Sequence, residues 1–170
     1  REPTTKEQGF TAIIKKYQEK LYWHIRRMVV DHDDANDVLQ NMFIKVWKGL
    51  ENFREDSRLY TWIYRIATNE SITFLNKKKN RNNVSLDEVN SELAETLASS
   101  SHFDGDKIQR KLQEAILTLP EKQRIIFNMK YFDDMKYEEI SEVLGTTVGA
   151  LKASFHIAVK KIEAILINQD

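Results

Sequence analysis

Tyr137-Glu138-Glu139-Ile140-Ser141-Glu142-Val143-Leu144-Gly145-Thr146-Thr147-Val148-Gly149-Ala150-Leu151-Lys152 is the stretch on which the reading of this chain turns. A short amphipathic helix stops at Gly145, the turn ends on a hydroxyl residue, Thr147, that can cap a second helix, and a longer apolar-periodic run begins. That is the spacing of a helix-turn-helix. In its second helix Leu151, Phe155, Ala158, Ile162 and Ile165 form a seam to be buried. Lys152, Ala153, His156, Ile157 and Lys160 lie opposite, free to enter a major groove. A helical hairpin that only packs has the same spacing, so the pattern alone leaves both readings open.

Working outward, Lys107 to Leu117 and Pro120 to Phe132 read as two further helices, with Pro120 suited to a first turn where its missing N–H is not needed. In the N-terminal half a helix is expected from about Phe10 to Val30, with Phe10, Ile13, Ile14, Tyr17, Leu21 and Met28 near one face. The next helix has the clearest period in the chain. Ala35, Val38, Leu39, Met42, Phe43, Val46, Trp47 and Leu50 follow i, i+3, i+4, i+7, from an Asp34 read as the cap to a boundary near Gly49. After the polar turn Phe53 to Ser57, a third helix is expected from about Arg58 to Lys78. Leu59, Trp62, Ile63, Ile66 and Phe74 mark its buried arc, and Arg65, Asn69 and Asn76 its outer stripe.

Between the halves the sequence is polar and loses its period. The chain therefore divides into an N-terminal helical domain, 1–83, a flexible linker, 84–106, and a C-terminal domain, 107–170, that contains the helix-turn-helix. With only five Gly and two Pro in 170 residues, and apolar residues at helical spacing, the class is all-α. There is no Cys, which removes disulfides and thiolate metal sites. No run of apolar residues reaches the roughly 18 to 20 needed to span a bilayer, so a cytoplasmic protein without direct membrane insertion is expected.

Net charge is zero but uneven. Residues 10–83 carry 14 Lys+Arg against 9 Asp+Glu (14 − 9 = +5), whereas residues 112–170 carry 7 against 9 (7 − 9 = −2). A DNA-binder that works alone usually needs a strong positive excess, because neutralising phosphates supplies most nonspecific affinity. This chain is therefore expected to bind DNA weakly by itself. That weighs against a self-sufficient dimeric helix-turn-helix regulator.

The run Asp37-Val38-Leu39-Gln40 to Phe43 and Trp47, then Thr61-Trp62-Ile63-Tyr64-Arg65-Ile66-Ala67-Thr68-Asn69, then Leu119-Pro120-Glu121-Lys122-Gln123-Arg124, then the helix-turn-helix, resembles an RNA polymerase sigma factor of the extracytoplasmic-function group. The resemblance covers roughly Phe10 to Ile165. It implies promoter-specific transcription initiation as a subunit of core RNA polymerase, through contacts with the β′ clamp helices and the β flap, with promoter DNA and an anti-sigma factor as further partners. The β′ contact falls on Asp37, Gln40, Asn41, Ile44 and Lys48. Reading and melting of the minus-ten element fall on Phe53, Arg54, Ser57, Tyr60, Arg65, Asn69, Lys77, Lys78 and Arg81, where an aromatic can stack on an extruded base and cations can hold phosphates. The cations from Lys77 to Lys79 equally suit a helix C-terminus, and that choice stays open. Minus-thirty-five recognition falls on Thr147, Lys152, Ala153, His156 and Lys160. Here the sequence departs from the family, with Ser154, Ile157 and Val159 where many members carry arginines. Ile157 is then left to touch a thymine methyl or to pack on another protein.

The linker fits this role. About two dozen extended residues reach roughly 70 to 80 Å, and promoter elements about 17 base pairs apart are separated by about 60 Å. Catalysis finds little support. Asp31-His32-Asp33-Asp34-Asp37 offers metal-ligand types, but the four His show no i, i+4 pair and no Gly-rich phosphate loop or nucleophile elbow occurs. The expectation is no enzyme, no cofactor and no metal.

Overall fold

Thr4 opens the first helix. Its hydroxyl accepts the Glu7 N–H at 3.1 Å while the Glu7 carboxylate accepts the Thr4 N–H at 3.1 Å, a reciprocal capping box. Helix α1 therefore runs Thr5–Val29, starting earlier than the apolar period at Phe10 suggests. The computed structural model describes residues 4–53, 58–82, 93–96 and 107–168. Among them every regular element is helical, and they fall into two compact units, Arg1–Leu75 and Asn76–Asp170.

In the first unit α1 packs on α2, His32–Gly49, through Leu21, Ile25, Met28 and Val29 against Ala35, Val38, Leu39, Met42 and Val46. The α2 cap is Asp31, whose carboxylate accepts the Asp34 N–H at 3.0 Å, so Asp34 is the residue capped and not the cap. The reason is local: the chain must reverse after Val29, and Asp31 is the first residue past Val30 with an extended backbone. A 3₁₀ turn, Leu50–Asn52, leads towards α3, Leu59–Asn82. Gly49 lies where a Cβ would come within 2.9 Å of the Trp62 ring, so glycine here serves a close approach as well as a helix end.

Helix α3 departs from the arc drawn on the sequence. Ile63 is buried, but Leu59, Trp62, Ile66 and Phe74 are only half-buried. The fully covered face is Thr61, Tyr64, Ala67, Thr68, Ser71 and Leu75. Burial of hydroxyls is tolerated because they bond to carbonyls of their own helix or its approach: Thr61 to Arg58 at 3.0 Å, Thr68 to Tyr64 at 2.7 Å and Ser71 to Ala67 at 2.9 Å. Thr68 also bonds the buried His24 Nε2 of α1 at 2.9 Å. The arc of Trp62 and Ile66 instead runs beside α2, where Lys45 pairs with Glu70. Trp47 and Trp62, both read as core, are half-buried.

Among the described residues the second unit includes α4 Lys107–Leu117, α5 Glu121–Tyr131, α6 Tyr137–Leu144 and α7 Val148–Asn168. Pro120 is the N-cap residue of α5 and stands just outside its first turn, its carbonyl accepting the Arg124 N–H at 2.9 Å. Ala115, Ile116, Leu119, Phe127, Ala158 and Ile162 form the core, so α7 packs on both α4 and α5. The α5–α6 turn carries Asp134 at φ 51, and Lys130 Nζ donates to the Met135 carbonyl at 3.1 Å across it. Within the stretch read as linker, residues 93–96 form a helical turn with Leu93 fully buried; the rest of 84–106 lies outside the described residues. Among the described residues no helix is long and apolar enough to cross a membrane.

Candidate nucleic-acid interface

The turn between α6 and α7 has the geometry its residues require. Gly145 sits at φ 68, ψ 26, the left-handed conformation in which a side chain is strained, and its N–H closes α6 onto the Ser141 carbonyl at 2.8 Å. Thr147 then caps α7, its hydroxyl accepting the Ala150 N–H at 3.3 Å. Below the turn, Ile140, Val143, Leu151 and Ala158 are buried, and Phe155 and Ile165 are half-buried. Lys152, Ala153, His156, Ile157 and Lys160 are all exposed, on the face opposite that seam. Lys152 is held from below by the Tyr137 ring, 5.7 Å from its Nζ, and the same ring carries Lys130 Nζ at 4.6 Å. Tyr137, at the start of α6, thus lies beside both lysines.

On α2, Asp37, Gln40, Asn41, Ile44 and Lys48 are all exposed or half-exposed and share one face, opposite Val38, Met42 and Val46. Ile44 keeps 51% of its surface in solvent, the one large apolar side chain among the five. Such a residue amid polar neighbours is what a protein contact uses, although a single exposed isoleucine decides nothing by itself.

The residues expected at the minus-ten element are less uniform. Phe53 is half-buried with its ring 4.9 Å from that of Trp62, so part of its stacking surface is already occupied. Tyr60 is half-buried between Tyr17 at 6.1 Å and Tyr64 at 4.7 Å, with Lys20 Nζ 5.1 Å from its ring. The approach of Lys20 to Tyr60 joins two helices far apart in sequence and leaves no local signal. Asn69, Lys77 and Arg81 are exposed on α3, and Arg65 and Lys78 are half-buried. Arg54 and Ser57 lie outside the described residues. Lys79 and Arg81 stand in the last turn of α3, so both roles left open for these cations remain available.

The cluster Asp31-His32-Asp33-Asp34-Asp37 does other work. Asp31 caps α2, and His32 bonds the Tyr22 hydroxyl at 2.5 Å and the Asn36 amide at 3.1 Å. Among the described residues no three His, Asp or Glu are placed to hold a metal ion.

Comparison with known proteins agrees with both ends of the molecule. The models for Sigma-70 region 2 and Sigma-70, region 4 match residues 13–81 and 109–162. The RNA polymerase sigma-H factor of Pseudomonas aeruginosa is 32% identical, over 94% of this chain and 87% of that protein. The extracytoplasmic-function RNA polymerase sigma factor SigW of Bacillus subtilis is 30% identical, over 88% of this chain and 84% of that protein. The solved sigma factor RpoE from Bartonella quintana, in complex with the anti-sigma factor NepR, superposes with a TM-score of 0.73 at 18% identity, covering 94% of this chain and 97% of that one. The chain belongs to the RNA polymerase sigma factors, of the extracytoplasmic-function group.

Proposed function

We propose that the three exposed surfaces divide the labour of promoter-specific initiation. The α2 face of Asp37, Gln40, Asn41, Ile44 and Lys48 docks on the β′ clamp helices of core RNA polymerase. The segment from Phe53 to Tyr60 and the outer side of α3, with Arg65, Asn69, Lys77, Lys78 and Arg81, captures the opened minus-ten strand. Helix α7 reads the minus-thirty-five duplex through Lys152, Ala153, His156 and Lys160 behind the Thr147 cap, with its domain against the β flap. RNA synthesis belongs to the polymerase, so the chain itself is a specificity subunit and not an enzyme, working in the cytoplasm where the polymerase is.

The observation that carries this reading is the capped, glycine-closed turn that leaves one side of α7 bare while the other side is packed. A recognition helix needs both. An anti-sigma partner is inferred from the solved relative, in which RpoE is held by NepR.

Run-off transcription with core polymerase on genomic promoter fragments, with and without the chain, tests the proposal. Specific transcripts are expected only with the chain, and are lost in Ile44→Glu through failure to bind core and in Lys152→Ala through weakened upstream recognition. If Ile44→Glu binds core normally, the docking assignment fails. Absence of transcripts and of core binding, together with a shift of duplex DNA by the chain alone, would leave a self-sufficient regulator in its place.

A further inference from the structure

The outward side of α7 is unusually apolar for a helix that enters a charged groove. Ala150, Ala153 and Ile157 are all exposed and fall at i, i+3 and i+7, one stripe down the helix, with Ile157 46% exposed. The lysines beside the stripe have partners within the chain. Lys152 leans on Tyr137, Lys160 Nζ lies 3.9 Å from Glu163, and Lys161 Nζ donates to Gln123 Oε1 at 3.2 Å. From Val148 to Ile157 there is no Arg, Asn, Gln, Asp or Glu, and Lys152 is the one side chain of a type that pairs with guanine. Only Lys152, Ser154 and His156 are polar, and Ser154 is half-buried.

A stripe of methyl groups can recognise one feature of the major groove. Of the four bases, thymine alone presents a methyl group there, at C5. Ala153 and Ile157 are one helical turn apart, about 6 Å along the axis, which is close to the rise of two base pairs. We infer that Ile157, with Ala153 beside it, reads thymine in the minus-thirty-five element by its C5-methyl, so that Ile157 is a specificity-determining residue of this chain. The inference rests on the assignment of α7 as the recognition helix. Lys152 and His156, on the flank of the stripe, supply the polar contacts that set its register.

The test removes one methyl group at a time. Holoenzyme assembled from core polymerase and the full chain transcribes a promoter whose start site has been mapped, and each thymine of its minus-thirty-five element is replaced in turn by deoxyuridine. At one position, or two adjacent ones, transcription is expected to fall about fourfold, the worth of burying a single methyl group. Ile157→Ala is expected to bring the thymine template down to the level of the deoxyuridine template, so that the two become equal. Since Ile157 is exposed, its truncation leaves the seam of α7 intact, which an unchanged thermal midpoint would verify.

Equal transcription from all thymine and deoxyuridine templates with the unaltered chain overturns the inference. So does a thymine preference that survives in Ile157→Ala, or a minus-thirty-five element with no thymine. Scrambling that element separates failure of the methyl contact from failure of the helix assignment. If scrambling abolishes transcription while the methyl is not read, α7 recognises DNA by other groups and only the methyl assignment is lost; if scrambling changes nothing, the assignment of α7 is lost with it.

Discussion

Arg26 and Arg124 are each 1% exposed, and their surroundings differ in the one respect that decides what a buried charge costs. The Arg26 guanidinium donates through Nε to the Val30 carbonyl and through Nη1 to the Tyr22 hydroxyl at 2.9 Å. It braces a sharp reversal: Val30 sits at φ 72, rare for a β-branched residue, and the Asp31 N–H bonds the Val29 carbonyl at 2.9 Å. Replacing Arg26 by Met leaves the buried Val30 carbonyl without its side-chain donor, while the half-buried Tyr22 hydroxyl keeps His32, and should destabilise the fold by about 1 to 3 kcal/mol in chemical denaturation. Arg124 is the opposite case, since its Nε and Nη1 have no hydrogen-bond partner. Burial lowers its pKa, partly opposed by the Glu121 carboxylate. A base whose folded pKa lies below its unfolded value is a liability at every pH below that folded pKa, and the liability is relieved only as pH rises through it. At neutral pH Arg124→Met should therefore leave stability unchanged or raise it by about 1 kcal/mol, keeping the stem and removing the charge. A loss of about 3 kcal/mol or more would mean that attraction to Glu121 outweighs desolvation.

At the scale of elements, α3 shows what a hydrophobic pattern can and cannot reveal. Its large apolar residues lie on several sides, so they do not single out a face, and the side that is fully covered is rich in small and hydroxyl residues. Ser71 is 0% exposed and satisfied by its own helix, so Ser71→Ala should be nearly neutral, whereas Ser71→Leu forces added volume into a packed interface and should cost about 1 to 3 kcal/mol. A wild-type midpoint for Ser71→Leu in thermal melts would place that face outside the core. The other helices were easier to read. In α2 and α7 the apolar period is regular, so the outward residues Asp37, Gln40, Asn41, Ile44 and Lys48, and Lys152, Ala153, His156 and Lys160, lie off the buried seams as expected. The early start of α1 was also within reach, since Thr4 and Glu7 spell a capping box, but it precedes the apolar run that drew the boundary. Contacts that join distant segments, such as Lys20 on Tyr60 and Trp62 on Gly49, have no local signature and needed the fold.

For the whole molecule, the distribution of charge governs whether the chain can act without core polymerase. Lys+Arg and Asp+Glu are equal at 26 each, and the domain that holds the helix-turn-helix, 107–170, is nearly neutral, with 10 Lys+Arg against 9 Asp+Glu (10 − 9 = +1). Affinity for a duplex falls with salt at a slope of about 0.9 per phosphate neutralised, and α7 has only Lys152, Lys160 and Lys161 to neutralise any. The contribution of α7 to the log-log salt slope on promoter duplex should then be no steeper than about −3, and the free chain should give no shift at physiological salt until roughly the upper micromolar range. Core polymerase changes this without altering α7. Once the N-terminal domain is docked, each promoter contact becomes intramolecular to the next, and the effective concentration set by the chain between the domains replaces the missing phosphate contacts. Filter binding of one labelled promoter across a salt series, with the chain alone and with core added, reads both numbers. Weak, shallow binding that becomes tight only with core is the signature of a specificity subunit, and tight binding with a steep slope for the chain alone would make α7 self-sufficient despite the lack of a basic excess in its domain.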